Sequence, residues 1–173
     1  MMKKLIIALL VAGTLLTGCQ SSSGRQLDQE KYDAYLTYYQ EIISATDKLS
    51  GCDYFDIELV VNALSDGSYR YDVVIDNPKV AMYGIEVLAV VLNAEATINY
   101  SVMMPSIGIM DDDAYNMIPN QVNKAKGFVE GLDVSGTLTA LPANVGVMVS
   151  FKDSTGQKVT RLYFGLSRTE VSA

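Results

Sequence analysis

The sequence predicts a mainly β protein, an antiparallel β-sandwich preceded by one amphipathic α-helix. Three observations carry this prediction. After Gly51, apolar residues recur at every second position in most segments, as they do in strands with one buried face. Turn residues interrupt these segments at regular intervals, which is typical of an antiparallel sandwich. Between residues 28 and 49 the apolar spacing is instead three and four, the period of a helix.

The first 18 residues have the features of a secretory signal peptide that is cleaved from the mature chain. Lys3 and Lys4 form a basic start, and residues 5–16 form an apolar run too short to span a membrane comfortably. Small residues follow, just before Cys19. The folded protein is therefore expected within residues 19–173, which hold 11 basic and 20 acidic residues, a net charge of −9.

The end of this segment, Leu16-Thr17-Gly18-Cys19, resembles the lipobox of bacterial lipoproteins. The resemblance implies that the Cys19 thiol receives a diacylglyceryl group and that the chain is cleaved between Gly18 and Cys19. Two or three acyl chains hold a protein stably on a membrane, whereas one gives only marginal binding. We therefore expect a lipid-anchored protein on the extracytoplasmic face of the cell membrane or outer membrane. The alternative is an ordinary signal peptide, or an uncleaved anchor, followed by an unrelated cysteine.

A tether and a helix are predicted to follow the anchor. Residues 19–27 are the lipidated cysteine and a polar spacer, and residues 28–50 are the N-terminal helix. Asp28 is suited to cap the first turn of this helix, and Gly51 to follow its last turn.

One face of the predicted helix is rich in tyrosine. Tyr35, Tyr38 and Ile42 recur at helical spacing on this face. The face either packs on the β-domain, or acts as a stalk, or contacts a partner protein. A coiled coil is less favoured because about three heptads are barely enough to form one.

Alternating apolar residues predict seven to nine strands after residue 52. The first two form a hairpin closed by Ser65-Asp66-Gly67, where glycine adopts the turn dihedral angles. Residues 85–92 are apolar at nearly every position, as in a central strand covered on both sides. Residues 111–125 are predicted to be a long loop, and residues 153–156 close a second hairpin. The remaining predicted strand segments are 97–104, 128–129, 132–141, 145–151 and 159–166.

Nearly the whole chain resembles small, uncharacterised lipoproteins that combine a lipobox, a tyrosine-rich helix and a β-domain. The hairpin Phe151-x-Asp153-x-x-Gly156 is also similar to that of Ig-like FxLYD-type domains, although the Leu-Tyr-Asp triplet is absent. The resemblance implies an Ig-like antiparallel β-sandwich over residues 52–173, and it implies no catalytic residue. The pieces that carry it are Tyr54-Phe55-Asp56-Ile57, Asp66-Gly67-x-Tyr69-x-Tyr71, Ile75-Asp76-Asn77-Pro78 and Tyr115-Asn116-x-x-Pro119-Asn120-Gln121.

Composition removes several kinds of site. The chain has no His, which excludes His-based triads and dyads and His-ligated zinc or haem. With Cys19 lipidated, Cys52 has no intramolecular partner, so no disulfide is expected. We interpret Cys52 as a small apolar residue rather than a nucleophile, because no His is present to activate it. The acidic balance argues against nucleic-acid binding, which requires a basic footprint.

Carboxylates are the remaining candidates for chemistry. Asp111, Asp112 and Asp113 offer the hard oxygen ligands that calcium prefers. A solvated loop is the favoured interpretation, since adjacent side chains diverge and the glycine of a calcium loop is missing. No cofactor is expected.

Charge is uneven along the chain, since residues 53–113 hold 11 acidic and 2 basic residues. This distribution indicates either pairing within the fold or an acidic face toward a cationic partner. The Pro119-Asn120-Gln121 loop and the many tyrosines suit contact with a protein or a glycan.

The sequence therefore predicts a membrane-anchored extracytoplasmic lipoprotein that acts as a non-enzymatic binding or structural module. One alternative is a small lipid-anchored hydrolase or calcium-binding protein that uses the loop carboxylates. Another is a subunit of an envelope complex, docked through the tyrosine-rich helix. No Gly-x-Ser-x-Gly elbow or phosphate loop supports an enzyme.

Overall fold

The computed structural model describes residues 22–92 and 103–172. The predicted lipidation site, Cys19 with Gly18, and most of the predicted strand 97–104 lie outside these residues. The elements are α1 (Ser22–Ser44), β1 (Asp56–Ala63), β2 (Tyr69–Asp76), β3 (Tyr83–Val91), β4 (Ser106–Ile107), β5 (Leu132–Leu138), β6 (Ala143–Lys152) and β7 (Val159–Arg168), with a 3-10 turn at Lys124–Lys126.

The strands form two antiparallel sheets, one with the order β1-β2-β5 and one with the order β4-β3-β6-β7. The first, second and fifth strands thus share one sheet, and the third, sixth and seventh share the other. This is the strand arrangement of an immunoglobulin-like sandwich, with β4 added beside β3. The predicted Ig-like antiparallel β-sandwich preceded by a helix is confirmed.

Both predicted hairpins are present. β1 and β2 pair in register from Asp56 opposite Asp76 to Ala63 opposite Tyr69. Their turn contains Gly67 at φ +84°, a backbone conformation that glycine adopts without steric cost. The β6–β7 hairpin turns at residues 153–156, again with a left-handed glycine.

The core lies between the two sheets, and a second apolar cluster lies between the four-stranded sheet and α1. β3 is buried on both faces, since Val87 and Ala89 face the first cluster while Leu88 and Val90 face the second. The prediction of a central strand covered on both sides is therefore confirmed. The molecule has three layers: α1, the four-stranded sheet and the three-stranded sheet.

The bounds of the helix differ from the prediction. α1 begins at Ser22, inside the segment predicted to be a tether, and ends at Ser44. It ends early because Leu49 pairs with β7 instead: Leu49 N–H donates to the Tyr163 carbonyl at 2.8 Å, and Gly165 N–H donates to the Leu49 carbonyl at 2.9 Å. Backbone pairing at the sheet edge thus replaces the last predicted helical turn.

The direction of α1 follows from its contacts. Lys31 Nζ lies 3.1 Å from the Asp111 carbonyl oxygen, in the loop that leads toward the β2–β3 connection. Ile42 packs on Gly146, near the start of β6. Tyr35 bonds to Met104, just before β4, whereas Glu41 bonds to Tyr163 of β7, so α1 crosses the four-stranded sheet from its β4 side to its β7 side.

Two predicted strand segments, 128–129 and 132–141, differ from the structure. β5 ends at Leu138, three residues before the predicted end of that strand. Phe128 and Val129 do not form a strand of their own but pair with Asn116 within a long loop.

In residues 22–92 and 103–172, no helix combines the length and apolarity that crossing a membrane requires.

Candidate functional site

A groove of about 380 Å³ lies at the end of the sandwich where β2 stops and β5 begins. We call it the amide groove. Two connections form it, the β2–β3 connection on one side and the long loop before β5 on the other. Its lining residues are Asp76, Asn77, Pro78, Ile118, Pro119, Asn120, Gln121, Val122 and Glu130.

A tight turn forms one wall of the amide groove. Gln121 N–H donates to the Ile118 carbonyl at 3.1 Å, which closes a four-residue turn. Pro119 holds the second position, and Asn120 takes the third at φ +61°. These are the residue types that a type II turn requires, because its third position needs a positive φ.

The opposite wall carries a second left-handed asparagine. Asn77 has φ +47° and lies directly before Pro78. Its side-chain Nδ2 donates to Asp56 Oδ2 at 2.7 Å, and Lys79 forms an ion pair with the same carboxylate. Hydrogen bonds first from Lys79 and then from Asn77 lower the pKa of Asp56. The contacts of Asn77 and Lys79 with Asp56 therefore hold this wall in place.

The base of the long loop is fixed to β3 and the residue before it. Met82 and Met117 exchange two backbone hydrogen bonds, of 2.8 and 2.9 Å. The Asn116 side-chain oxygen accepts a hydrogen bond from Gly84 N–H at 2.9 Å. The Pro119 turn therefore follows a segment that is hydrogen-bonded to β3 and the residue before it, rather than a free loop.

Four polar side chains of the groove remain available. Asp76, Asn120, Gln121 and Glu130 make no side-chain hydrogen bond to another residue that the structure describes. Carboxylates accept hydrogen bonds, and carboxamides both donate and accept them. No basic side chain lines the groove, so the arrangement favours neutral or cationic ligand groups over anionic ones.

Three of the pieces quoted from the sequence meet at this end. Lys79 N–H donates to the Tyr54 carbonyl at 2.7 Å, which joins the Tyr54 piece to the β2–β3 connection. That connection and the Pro119 turn then face each other across the groove. Each piece is visible in the sequence, but nothing in the sequence indicates that they adjoin, because the hydrogen bonds that join them link residues distant in the chain.

The tyrosine face of α1 is not available to a partner. Tyr35, Tyr38 and Ile42 are only 4%, 8% and 0% exposed. Tyr35 Oη accepts a hydrogen bond from Met104 N–H at 2.8 Å, and Tyr38 Oη donates to Glu86 Oε2 at 2.8 Å. The prediction of a partner contact through these three residues is wrong, because their own four-stranded sheet occupies that face.

The three loop aspartates are exposed, and two of them make separate contacts within the fold: Asp111 and Asp112. Asp113 is the third of these aspartates. Asp112 forms an ion pair with Lys31, and Asp111 Oδ2 accepts hydrogen bonds from Gly108 N–H at 3.3 Å and from Tyr115 Oη at 3.4 Å. Within the described ranges, no three Asp, Glu or Cys side chains gather as a metal-ligand set. Nothing in this geometry makes the three aspartates a calcium site.

Cys52 is half-buried and packs against the sandwich core. Its Sγ lies 3.6 Å from the Phe55 carbonyl oxygen, to which the thiol donates. This packing agrees with the interpretation of Cys52 as a small apolar residue.

A larger cavity, of about 650 Å³, lies at the opposite end of the sandwich. Tyr71, Leu92 and Met103 contribute to its wall. Leu92 and Met103 lead directly into residues 93–102, so this wall is not fully described. The amide groove, whose walls are described throughout, is the candidate site.

No protein-family model, no curated protein and no solved structure matches this chain.

Proposed function

We propose that the protein is a lipid-anchored extracytoplasmic lipoprotein whose β-sandwich acts as a non-enzymatic binding module. The single observation that carries the proposal is the N-terminal sequence, a basic start and an apolar run that lead into Leu16-Thr17-Gly18-Cys19. A thiol at this point provides a nucleophile for acylation, and the small residues before it give a peptidase access to the backbone.

The amide groove supports the binding part of the proposal. It offers two carboxylates and two carboxamides that have no partner among the described residues, on walls fixed by hydrogen bonds to the sandwich. Convergent polar groups beside apolar walls are typical of ligand sites. The groove lining holds no Ser, Thr, Cys, Lys or Tyr, so the carboxylates of Asp76 and Glu130 are the side chains in it that could act as nucleophiles.

The helix contributes to the position of the sandwich relative to the membrane. Ser22 is three positions after Cys19, a reach of at most about 10 Å. Because Tyr35 to Ile42 dock on the sheet, only the part of α1 before Lys31 is left to act as a spacer, about 13 Å of helix. A lipidated Cys19 would thus keep the sandwich near the bilayer, and its partner would be membrane-proximal.

The anchor is tested by replacing each of the two cysteines in turn. We expect the unsubstituted chain and Cys52→Ser to incorporate labelled palmitate and to partition into the detergent phase of a Triton X-114 extraction. Cys19→Ser should do neither, because the acceptor thiol is gone. Labelling or membrane retention that survives in Cys19→Ser would overturn the proposal, as would loss of label in Cys52→Ser alone.

A further inference from the structure

We infer that the amide groove, together with the outer face of the three-stranded sheet beside it, binds a basic polypeptide segment that carries Lys or Arg side chains. This inference rests on the proposed binding function, to which it adds the chemistry of the partner. It does not depend on the lipid anchor.

The two sheets differ in what covers their outer faces. α1 covers the four-stranded sheet, whereas no described element covers the outer face of the three-stranded sheet. On β1, Leu59 and Val61 point into the core, so the residues between them point outward. The same alternation on β2 and β5 places five carboxylates on the uncovered face: Asp56, Glu58, Asp72, Asp76 and Asp133.

The amide groove continues this acidic face around the end of the sheet. Asp76, the last residue of β2, belongs to both surfaces. Glu130 adds a second carboxylate to the lining of the groove. Four of the six carboxylates on this surface come from the acid-rich segment 53–113, because β1 and β2 lie side by side, and the other two come from the start of β5 and the residues before it.

Basic side chains of the protein do not neutralise this surface. Arg70 serves two carboxylates, with its Nη2 at 2.6 Å from Asp72 Oδ1 and 3.7 Å from Asp133 Oδ2. Burial, and then the charge of Asp72, raise the pKa of Asp133 against the opposing effect of Arg70. One guanidinium is therefore shared where two carboxylates lie close together.

The other pairs on this surface are at its rim. Lys79 pairs with Asp56, and Arg168 Nη2 lies 3.2 Å from Glu58 Oε1. Ion pairs this exposed contribute little and are readily exchanged for other partners. Asp76 and Glu130 have no ion pair within the described part of the chain. Three basic residues thus face six carboxylates, and this excess attracts a cationic partner over a distance of about 10 Å at moderate salt.

The shape and lining of the groove favour a polypeptide over a glycan. Its lining residues include no aromatic ring, so it lacks a flat apolar platform on which a sugar ring would pack. It offers instead two prolines and two free carboxamides, and a carboxamide pairs with a peptide group by one donated and one accepted hydrogen bond. Asp76 and Glu130, which both line the groove, then receive the basic side chains.

The test is an amide NMR titration of the full chain, purified in a zwitterionic detergent. The probe is a hexapeptide of alternating lysine and glycine, and N-acetylglucosamine trisaccharide is titrated in parallel. The groove variant is Asp76→Asn with Glu130→Gln. The matched control is Asp47→Asn with Glu30→Gln, which changes the net charge equally at exposed positions on the α1 side of the molecule.

We expect the lysine peptide to shift the amide signals of residues 76–78, 118–122 and 130. Its dissociation constant should rise about tenfold in the groove variant, a loss of about 1.4 kcal/mol, and stay within about twofold in the control. The affinity should also fall as salt is added, since the contacts are charged.

Three results would overturn the inference: no peptide binding at low salt, equal weakening in both variants, or shifts at these residues caused by the trisaccharide instead. The second would mean that only net charge attracts the peptide. Because the titration is independent of acylation, it can fail while Cys19 is lipidated, and it can succeed while Cys19 is not.

Discussion

Position 136 of β5 requires a glycine because a side chain from the neighbouring strand packs over it. It pairs with Tyr71 of β2, which is 1% exposed. A Cβ at Gly136 would lie 2.6 Å from Tyr71 Oη and 2.7 Å from Cζ. Real side-chain atoms do not approach so closely, so the tyrosine ring has its place only because residue 136 has no side chain.

Replacing this glycine is expected to destabilise the sandwich. Gly136→Ala should lower the free energy of unfolding by about 1–3 kcal/mol, because the buried ring must shift within a packed core. Urea denaturation followed by circular dichroism measures the change. Gly51→Ala is the control, since a Cβ there meets nothing within 4 Å. Equal effects of the two substitutions would contradict the account.

The sequence revealed some of these residue roles and not others. Gly67 was predicted to close a hairpin, because turn chemistry is local and glycine after Ser65-Asp66 is a local signal. Gly136 interrupts a strand pattern, but the pattern does not indicate which residue packs against the glycine. That neighbour is about 65 residues away in the chain, and only the pairing of β2 with β5 brings it close.

At the scale of the element, α1 is held by the face it turns toward the sheet. Ile42 is fully buried on Gly146, whose missing side chain makes room for it: a Cβ there would lie 2.5 Å from Ile42 Cγ2. Its neighbour Ile43 points away and is 38% exposed. Two adjacent isoleucines thus differ clearly in burial, which makes them a matched pair.

We expect Ile42→Ala to lower the free energy of unfolding by about 2–5 kcal/mol, because it leaves a cavity between helix and sheet. Ile43→Ala should change it by no more than about 0.5 kcal/mol, since a surface position loses little packing. Thermal and urea unfolding of both variants provide the measurement. If Ile43→Ala is as destabilising as Ile42→Ala, the helix does not dock as described.

Element types were more predictable than element ends. The period of three and four predicted α1, and the period of two predicted β1, β2 and β6, because burial on one face imposes these periods. The last turn of the predicted helix was lost to the pairing of Leu49 with β7. A sheet edge gains hydrogen bonds when the chain covers it, and the sequence carries no signal of that competition.

At the scale of the whole molecule, helix and sheet are joined by a polar network as well as by apolar packing. Glu41 Oε2 accepts hydrogen bonds from Tyr163 Oη at 2.6 Å and from Arg161 Nη1 at 3.3 Å. The Arg161 guanidinium also lies 4.5 Å from the centre of the Tyr38 ring. Burial, and then hydrogen bonds to Glu86 and Glu41 respectively, raise the pKa of Tyr38 and of Tyr163 from 10.0 to about 12.

These raised values predict alkaline unfolding. Between pH 10 and 12 the unfolded chain loses tyrosine protons that the folded protein still holds, so the free energy of unfolding falls as pH rises through this window. Below pH 10 the contribution is fully present. Burial raises the pKa of Tyr71 to about 12 as well, which adds to the same effect.

The measurement is urea denaturation at several pH values between 9 and 12. Tyr38→Phe with Tyr163→Phe should make the decrease less steep, since two of the responsible hydroxyls are removed. Tyr54→Phe, which replaces an exposed tyrosine, should leave the slope of the free energy of unfolding against pH unchanged. A slope that is the same in all three proteins would argue against the helix–sheet network as its cause.

The sequence by itself determined the class of fold, the two hairpins, the buried central strand and the absence of any histidine chemistry, because these follow from composition, period and local turns. The tertiary structure alone decided which surfaces are free. It buried Tyr35, Tyr38 and Ile42 against their own sheet, and it brought the β2–β3 connection and the Pro119 turn to opposite sides of one groove. A period tells which residues share a face, but what covers that face depends on contacts between segments far apart in the chain.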